Sequence, residues 1–222
     1  MSIRVLLVDD QALLRTGFRM ILQAQPDLEV VGEAVDGADA VRQVAALRPD
    51  VVLMDVRMPV MDGVQATAAI AAGAAAARVL ILTTFDVDEY AFAALRAGAS
   101  GFLLKDVPPA ELAGAIRAVA AGDAVVSPRI TRQLLDRVSL DTPGSAQETA
   151  PRDSVLGVLT DRERQIFGEV AKGLSNAEIA ARLYLSEATV KTHITRVLAK
   201  LRLRDRVQMV IFAYEHHLLP GD

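Results

Sequence analysis

Three aspartates of this 222-residue chain stand directly behind runs of apolar residues. Asp9 and Asp10 follow the run 3–8, and Asp55 follows the run 51–54. Two hydroxyls, Thr83 and Thr84, close a third run at 78–82, and Lys105 comes straight after a fourth at 101–104. Carboxylates gathered in one place repel unless a cation sits among them. Oxygen ligands suit a hard ion, and Mg2+ usually takes one or two carboxylates together with phosphate oxygens and water. A lysine ammonium is a mobile point charge suited to a phosphoryl oxygen. Thr83 offers a hydroxyl donor, and an aspartate carboxylate can attack phosphorus to form an acyl phosphate. The residue types therefore point to phosphoryl chemistry, provided that one fold brings these chain positions together.

The elements needed for that are legible. Residues 3–8, 28–34, 51–54, 78–82 and 101–104 read as five short strands, and the third is apolar at every position. Between them lie helical stretches at 12–24, from Asp36 to before Pro49, near 63–72, 88–97 and 109–121. In the first of these, Leu13, Leu14, Phe18, Ile21 and Leu22 recur at helical spacing, and Asp36 can cap the second. Strands apolar on both faces are covered on both faces, and alternation with helices gives a parallel sheet. The expected fold of the first half is α/β, a five-stranded doubly wound parallel sheet. In such sheets ligands bind at the carboxyl ends of the strands, which is where the three aspartates, Thr83 and Lys105 fall.

Charge divides the chain. Residues 1–125 carry 16 acids and 10 bases, residues 126–153 carry four of each, and residues 154–222 carry 8 acids and 10 bases. Within 187–206 six bases face two acids. The segment 139–154 (SLDTPGSAQETAPRDS) has no apolar period and reads as a linker, with 126–138 before it as a short helix. The expected division is 1–125, a linker at 126–155, and 156–222. The last part is helical throughout. Thr160 with Glu163 and Ser175 with Glu178 both fit the S/T-x-x-E capping box. Gly173 ends the first helix, Ser186 starts a third that runs to about Lys200, and 205–214 makes a fourth. Short helices joined by a tight turn, then a longer helix, describe a helix-turn-helix. On that longer helix Val190, Ile194, Val197, Leu198 and Leu201 share one stripe at about 100° per residue. Ala188, Thr192, Thr195 and Ala199 fall opposite, flanked by Lys191 and Arg196. Small residues let a helix sit deep in a major groove, and basic margins reach guanine edges or phosphates.

Other chemistries are excluded or unsupported. With no Cys there is no disulfide, thiol nucleophile, iron–sulfur cluster or Cys-ligated zinc. The three His show no two-His metal spacing, and no nucleotide-binding glycine loop occurs among the 14 Gly. Aromatics at 4 % with no Trp argue against a stacking platform for single strands. A phosphatase with an Asp nucleophile would want a second Asp two residues later, where this chain has Arg57. No run is long enough to span a bilayer, and no signal peptide precedes the first strand, so a cytoplasmic protein without membrane contact is expected.

Asp9-Asp10, Asp55 followed by Met58-Pro59 and Asp62-Gly63, then Thr83, Phe102 and Lys105, resemble the receiver domain of two-component response regulators over residues 3–122. One departure is Asp106, where many receivers have Pro. The resemblance implies a flavodoxin-like receiver in which a sensor histidine kinase phosphorylates Asp55. It implies Mg2+ held by Asp10, Asp55 and the backbone carbonyl of Arg57, with Asp9 assisting. Thr83 and Lys105 would engage the phosphoryl group, and Phe102 would act as an aromatic switch that repacks inward. The run from Leu159 to His193 resembles the LuxR-type helix-turn-helix over about 156–219, so the whole chain resembles the NarL/FixJ class. That implies a phosphorylation-activated transcription factor, not an enzyme, which dimerises when phosphorylated and binds double-stranded DNA, with RNA polymerase as a further partner. Lys191, Thr192 and Thr195 would lie nearest the bases; Arg196, Lys200, Ser175 and Thr189 would lie nearer phosphates. His193 would be a backbone contact or a packing residue.

Overall fold

A computed structural model describes residues 2–73, 76–83, 89–122, 156–216 and 218. The chain divides into two compact units, Met1–Val126 and Ser127–Asp222. The short helix expected at 126–138 and the linker expected at 139–154 lie outside the described residues. No helix among the described residues is long and apolar enough to cross a membrane.

The first unit contains β1 (Ile3–Val8), α1 (Ala12–Gln23), β2 (Leu28–Ala34), α2 (Gly37–Leu47), β3 (Val51–Asp55), α3 (Gly63–Ala72), β4 (Arg78–Thr83), α4 (Glu89–Arg96), β5 (Gly101–Leu104) and α5 (Pro109–Ala120). All four strand pairs are parallel, in the order β2-β1-β3-β4-β5. Alternate residues of the sheet feed two buried layers. Val5, Leu7, Val51, Leu53, Leu80, Leu82 and Leu103 pack with Phe18 and Leu22 of α1 and with Leu112, Ile116 and Val119 of α5. Leu6, Val8, Val52, Met54, Ile81 and Phe102 lie on the opposite pleat and are also buried. This double burial is why the strands read as continuous apolar runs.

The local signals behave as their chemistry requires. The Asp36 carboxylate accepts the Asp39 N–H and starts α2, which ends at Arg48 in the left-handed conformation ahead of Pro49. Pro109 opens α5 at a position where no N–H is needed. Two strands run one residue further than their apolar patterns, so that Asp55 closes β3 and Thr83 closes β4. The strand ladder, which does not depend on side-chain polarity, carries the backbone past the last apolar residue.

The second unit contains α6 (Asp161–Ala171), α7 (Asn176–Leu183), α8 (Glu187–Leu201) and α9 (Arg206–Glu215). Both expected capping boxes are present, at Thr160–Glu163 and at Ser175–Glu178. Gly173, at φ +81°, turns the chain between α6 and α7. Ser186 caps α8 by accepting the Thr189 N–H. Helix α9 starts one residue later than expected because Asp205 stands outside it as its cap, accepting the Gln208 N–H. Ile166, Phe167, Val170, Ile179, Val190, Ile194, Val197 and Met209 form one core.

Candidate functional site

The parallel register aligns the carboxyl ends of β1, β3, β4 and β5. Val8 pairs with Met54, Asp55 with Leu82, and Thr83 with Leu104. The residues expected to work together are thereby brought to one edge. Ligand oxygens of Asp9, Asp10 and Asp55 all lie within 4.8 Å of one another. Asp9 and Asp55 are buried, and Asp10 is exposed. Lys105 enters between the two buried carboxylates, its Nζ 2.6 Å from Asp9 Oδ2 and 2.9 Å from Asp55 Oδ2. The backbone N–H of Lys105 donates to the Thr83 carbonyl at 2.8 Å, which anchors the base of that side chain.

The remaining lone pairs are partly engaged. Asp9 Oδ1 accepts the Gln11 N–H at 2.9 Å, and Asp55 Oδ1 accepts the Val56 N–H at 2.8 Å. Asp9 Oδ2 is buried and close to the Lys105 ammonium, yet it is not aligned with it as a hydrogen bond. Burial pushes the Asp55 carboxyl above the ordinary carboxylate value; the Lys105 ammonium pulls it down and the Asp9 charge pushes it up again. One lysine thus pairs with two of the three clustered carboxylates. A cluster of hard oxygen donors with an excess of negative charge is compatible with a divalent cation.

The loop after β3 is held tightly against the site. The Gly63 N–H donates to the Val56 carbonyl at 2.9 Å, and the Gly37 N–H donates to the Met61 carbonyl at 3.0 Å. A Cβ on Gly63 would lie 2.1 Å from the Asp55 carbonyl oxygen, so only glycine fits without displacing the backbone of that aspartate. Gly63→Ala is expected to cost roughly 1–3 kcal/mol of stability, the usual range for overpacking, and to weaken any divalent-cation binding at the edge by shifting Asp55. Thermal melting and Mg2+ titration of the same sample check this; unchanged values in both would show that the loop yields freely.

Two other predicted positions are also resolved. Phe102 is only 2 % exposed, so its ring is already inside. Arg57 is exposed, and its guanidinium lies 4.9 Å from the centre of the Tyr90 ring on α4.

In the second unit, α8 buries Val190, Ile194 and Val197 and half-buries Leu198 and Leu201, the stripe read from the sequence. Ala188, Lys191, Thr192, Thr195, Arg196 and Ala199 are exposed on the other side. Thr192 Oγ1 donates to the Ala188 carbonyl at 2.9 Å, and Thr195 Oγ1 donates to the Lys191 carbonyl at 3.0 Å. Thr189 is half-buried, with its hydroxyl 2.8 Å from that of Ser186. Ser175 is exposed, and its hydroxyl donates to Glu178 within the capping box. His193 is half-buried and its Nδ1 has no hydrogen-bond partner among the described residues. Lys200 is the exception to a simple groove-facing reading: its ammonium lies 2.7 Å from the buried Glu163 of α6. Sequence reasoning missed this pairing, and it also missed Arg15, whose guanidinium donates to the Asp9 carbonyl. Neither partner is a helical neighbour in the chain, so no local period could have revealed either contact.

The fold and the carboxylate–lysine edge define a class, a receiver-type α/β unit on the same chain as a helix-turn-helix unit. The family described as response regulator receiver domain matches residues 5–117, and the bacterial regulatory proteins of the luxR family match residues 157–213. The chain is 41 % identical over 218 residues to the uncharacterized transcriptional regulatory protein YxjL of Bacillus subtilis (strain 168), covering 98 % of each. It is 40 % identical to the transcriptional regulatory protein LiaR of the same organism, covering 98 % of this chain and 99 % of LiaR. The crystal structure of the response regulator ChrA superposes with a TM-score of 0.53 at 38 % identity, covering 98 % of this chain and 99 % of that one. This protein belongs to the two-component response regulators that carry a LuxR-type DNA-binding domain. It is a transcription regulator and not an enzyme.

Proposed function

We propose that Asp55 is the phosphoacceptor and that its phosphorylation by a sensor histidine kinase drives dimerisation and promoter binding. The observation that carries this reading is the gathering of Asp9, Asp10 and Asp55 at one sheet edge, with the Lys105 ammonium between Asp9 and Asp55. Domain limits of 1–125 and 156–222, joined by a linker at 126–155, and a cytoplasmic location go with it.

Asp10, Asp55 and the Arg57 carbonyl would hold Mg2+, with Asp9 assisting. Once bound, the ion supplies charge neutralisation for incoming phosphate oxygens. An Asp55 carboxylate oxygen attacks phosphorus, and the bond from phosphorus to the donor imidazole breaks. The electron pair stays on that nitrogen, which takes a proton from solvent. Lys105 then exchanges a carboxylate partner for a phosphoryl oxygen, and the Thr83 hydroxyl donates to another. The new group brings about −1.5 to −2 charges to the edge. Moving a two-state population from 1:99 to 99:1 requires about 5.5 kcal/mol of differential interaction. Charge-assisted hydrogen bonds at roughly 1.5–3 kcal/mol each supply that order of magnitude. Since the Phe102 ring is already inside, a switch role for it requires an outward position in the alternative state.

In the second unit Lys191, Thr192 and Thr195 lie nearest the bases, and Arg196, Ser175 and Thr189 nearer phosphates. The backward hydrogen bonds of both threonines leave their methyl groups and lone pairs for a groove. A two-fold dimer predicts half-sites about one helical turn, or a multiple, apart. RNA polymerase is the natural further partner of a promoter-bound regulator.

Equilibrium binding to operator duplex across a salt series, with and without beryllofluoride, tests the whole reading. Beryllofluoride is expected to yield a dimer of higher affinity. Arg196→Ala should weaken binding on all sequences and reduce the magnitude of the salt slope by about 1. Lys191→Ala should cost roughly 1–3 kcal/mol and relax base preference. Indifference of both oligomeric state and affinity to beryllofluoride would sink the coupling, whereas unchanged salt slopes would sink the DNA face alone.

A further inference from the structure

The acidic pair sits on a short stretch between β1 and α1, and α1 begins without a side-chain cap at Gln11. Backbone freedom there would let two mutually repelling carboxylates swing apart. The Asp9 N–H is held by the Ala34 carbonyl of β2 at 3.2 Å, and the Asp9 carbonyl is held by Arg15, in the first turn of α1. Its Nη1 donates to the Asp9 backbone carbonyl at 2.7 Å, and its Nε donates to Glu33 Oε2 at 3.2 Å. The side chain is only 13 % exposed. Glu33 lies on β2, and its other oxygen takes Arg19 Nη1 at 3.0 Å. The Gln43 amide of α2 donates to the Glu33 carbonyl at 2.6 Å, fixing the same strand from the other side. A chain of bonds therefore runs from β2 through one guanidinium to the peptide between the two acids.

The geometry points to Arg15 as a positioning residue for the cation site: with Glu33 as its anchor it fixes the Asp9–Asp10 peptide, and so sets the affinity of the acidic edge for Mg2+. This rests on the reading of that edge as a Mg2+ site. The assignment follows from what each partner contributes. Glu33, which also pairs with Arg19, holds the Arg15 Nε, so the guanidinium is a fixed fork aimed at the backbone rather than at the carboxylates. The bond reaches the backbone and leaves the Asp9 carboxylate to Gln11, Lys105 and a metal. Partners that orient ligands in this way commonly change metal affinity by about 10–100-fold when removed.

The sign of the effect separates positioning from simple charge. Removing a cation near three carboxylates would by electrostatics alone tighten Mg2+. Loss of positioning weakens it. Isothermal titration of the full-length chain with Mg2+ provides a binding readout independent of phosphorylation, and melting of the same samples in chelator reports the fold. For Arg15→Met the Mg2+ dissociation constant is expected to rise on the order of tenfold, while the heat per site stays measurable. Arg15→Lys keeps the charge but cannot span both acceptors, and should weaken binding in the same direction; it serves equally if the Met variant fails to fold. An unchanged or tighter constant in the folded variants overturns the positioning role, even if melting falls. A wild-type chain that takes up no Mg2+ removes the metal reading and this inference with it.

Discussion

Asp55→Asn is expected to abolish the gain of a phosphoryl group when the protein is incubated with acetyl phosphate and Mg2+, as read by intact mass and by mapping the modified peptide. The substitution is nearly isosteric, but an amide oxygen lacks the negative charge and nucleophilicity needed to attack phosphorus. The fold is expected to survive and to melt at a slightly higher temperature. The reason lies in the sign of the titration. Burial raises the Asp55 carboxyl in the fold above its ordinary 3.8. A raised folded value means that the ionised group costs stability, and the cost develops as the pH climbs from 3.8 through the folded value. The neutral amide removes that cost. Lys105 retains Asp9 as its partner in the variant. A protein that still acquires phosphate on the same peptide would refute the assignment of Asp55, and a collapse of the fold would refute the view that this carboxylate is held against its own stability.

The second large effect is expected in the other unit. Lys200→Met should destabilise the helix-turn-helix without changing the salt slope of DNA binding. Glu163 is buried at 4 % side-chain exposure and closes the capping box of α6, accepting from the Thr160 N–H at 2.8 Å. The Lys200 ammonium is the main influence that holds its carboxyl at about 2, well below the ordinary 4.5. Removing the lysine leaves a buried carboxylate without its cation. Breaking a buried pair in this way usually costs roughly 3–5 kcal/mol. Since Lys200 is 37 % exposed, water screens part of the interaction, and about 2 kcal/mol is the expected loss. Denaturant titration with hydrogen exchange at α6 and α8 measures it. A depressed folded value contributes stability that is present above pH 4.5 and is lost as the pH falls toward 2. The wild-type C-terminal unit should therefore weaken across that window, and the variant should weaken less. If Lys200 instead meets a phosphate, the outcome reverses: stability stays and the salt slope shrinks by about 1.

These two residues also mark how far the sequence reaches. Asp55 was legible because two independent local signals coincide on it, the end of an apolar strand and a carboxylate able to attack phosphorus. The same holds for Asp9 and Asp10, for Thr83 and for Lys105, each placed by the end of a strand. The caps at Asp36, Thr160, Ser175 and Ser186 were equally local, since a side-chain oxygen reaches an amide only three residues on. The apolar stripe of α8 was fixed by helical rotation alone.

Lys200 was placed nearer phosphates by the resemblance to the LuxR-type helix-turn-helix, which carries a base there. Charge is a local property, but its partner is not. Glu163 meets it only because α6 and α8 pack against each other. Arg15 is the same case, a helical arginine whose meaning depends on the Asp9 carbonyl and on Glu33 in the next strand. The amino-acid order by itself determined the elements, their caps and which face of each is apolar, because those follow from dihedral preference and a short repeat. Only the tertiary structure decided that Lys105 lies between Asp9 and Asp55, that Phe102 is inside, that Lys200 pairs with Glu163 and that Arg15 reaches the Asp9 carbonyl. Pairing of distant side chains depends on sheet order, helix docking and rotamer, and none of these has a period along the chain.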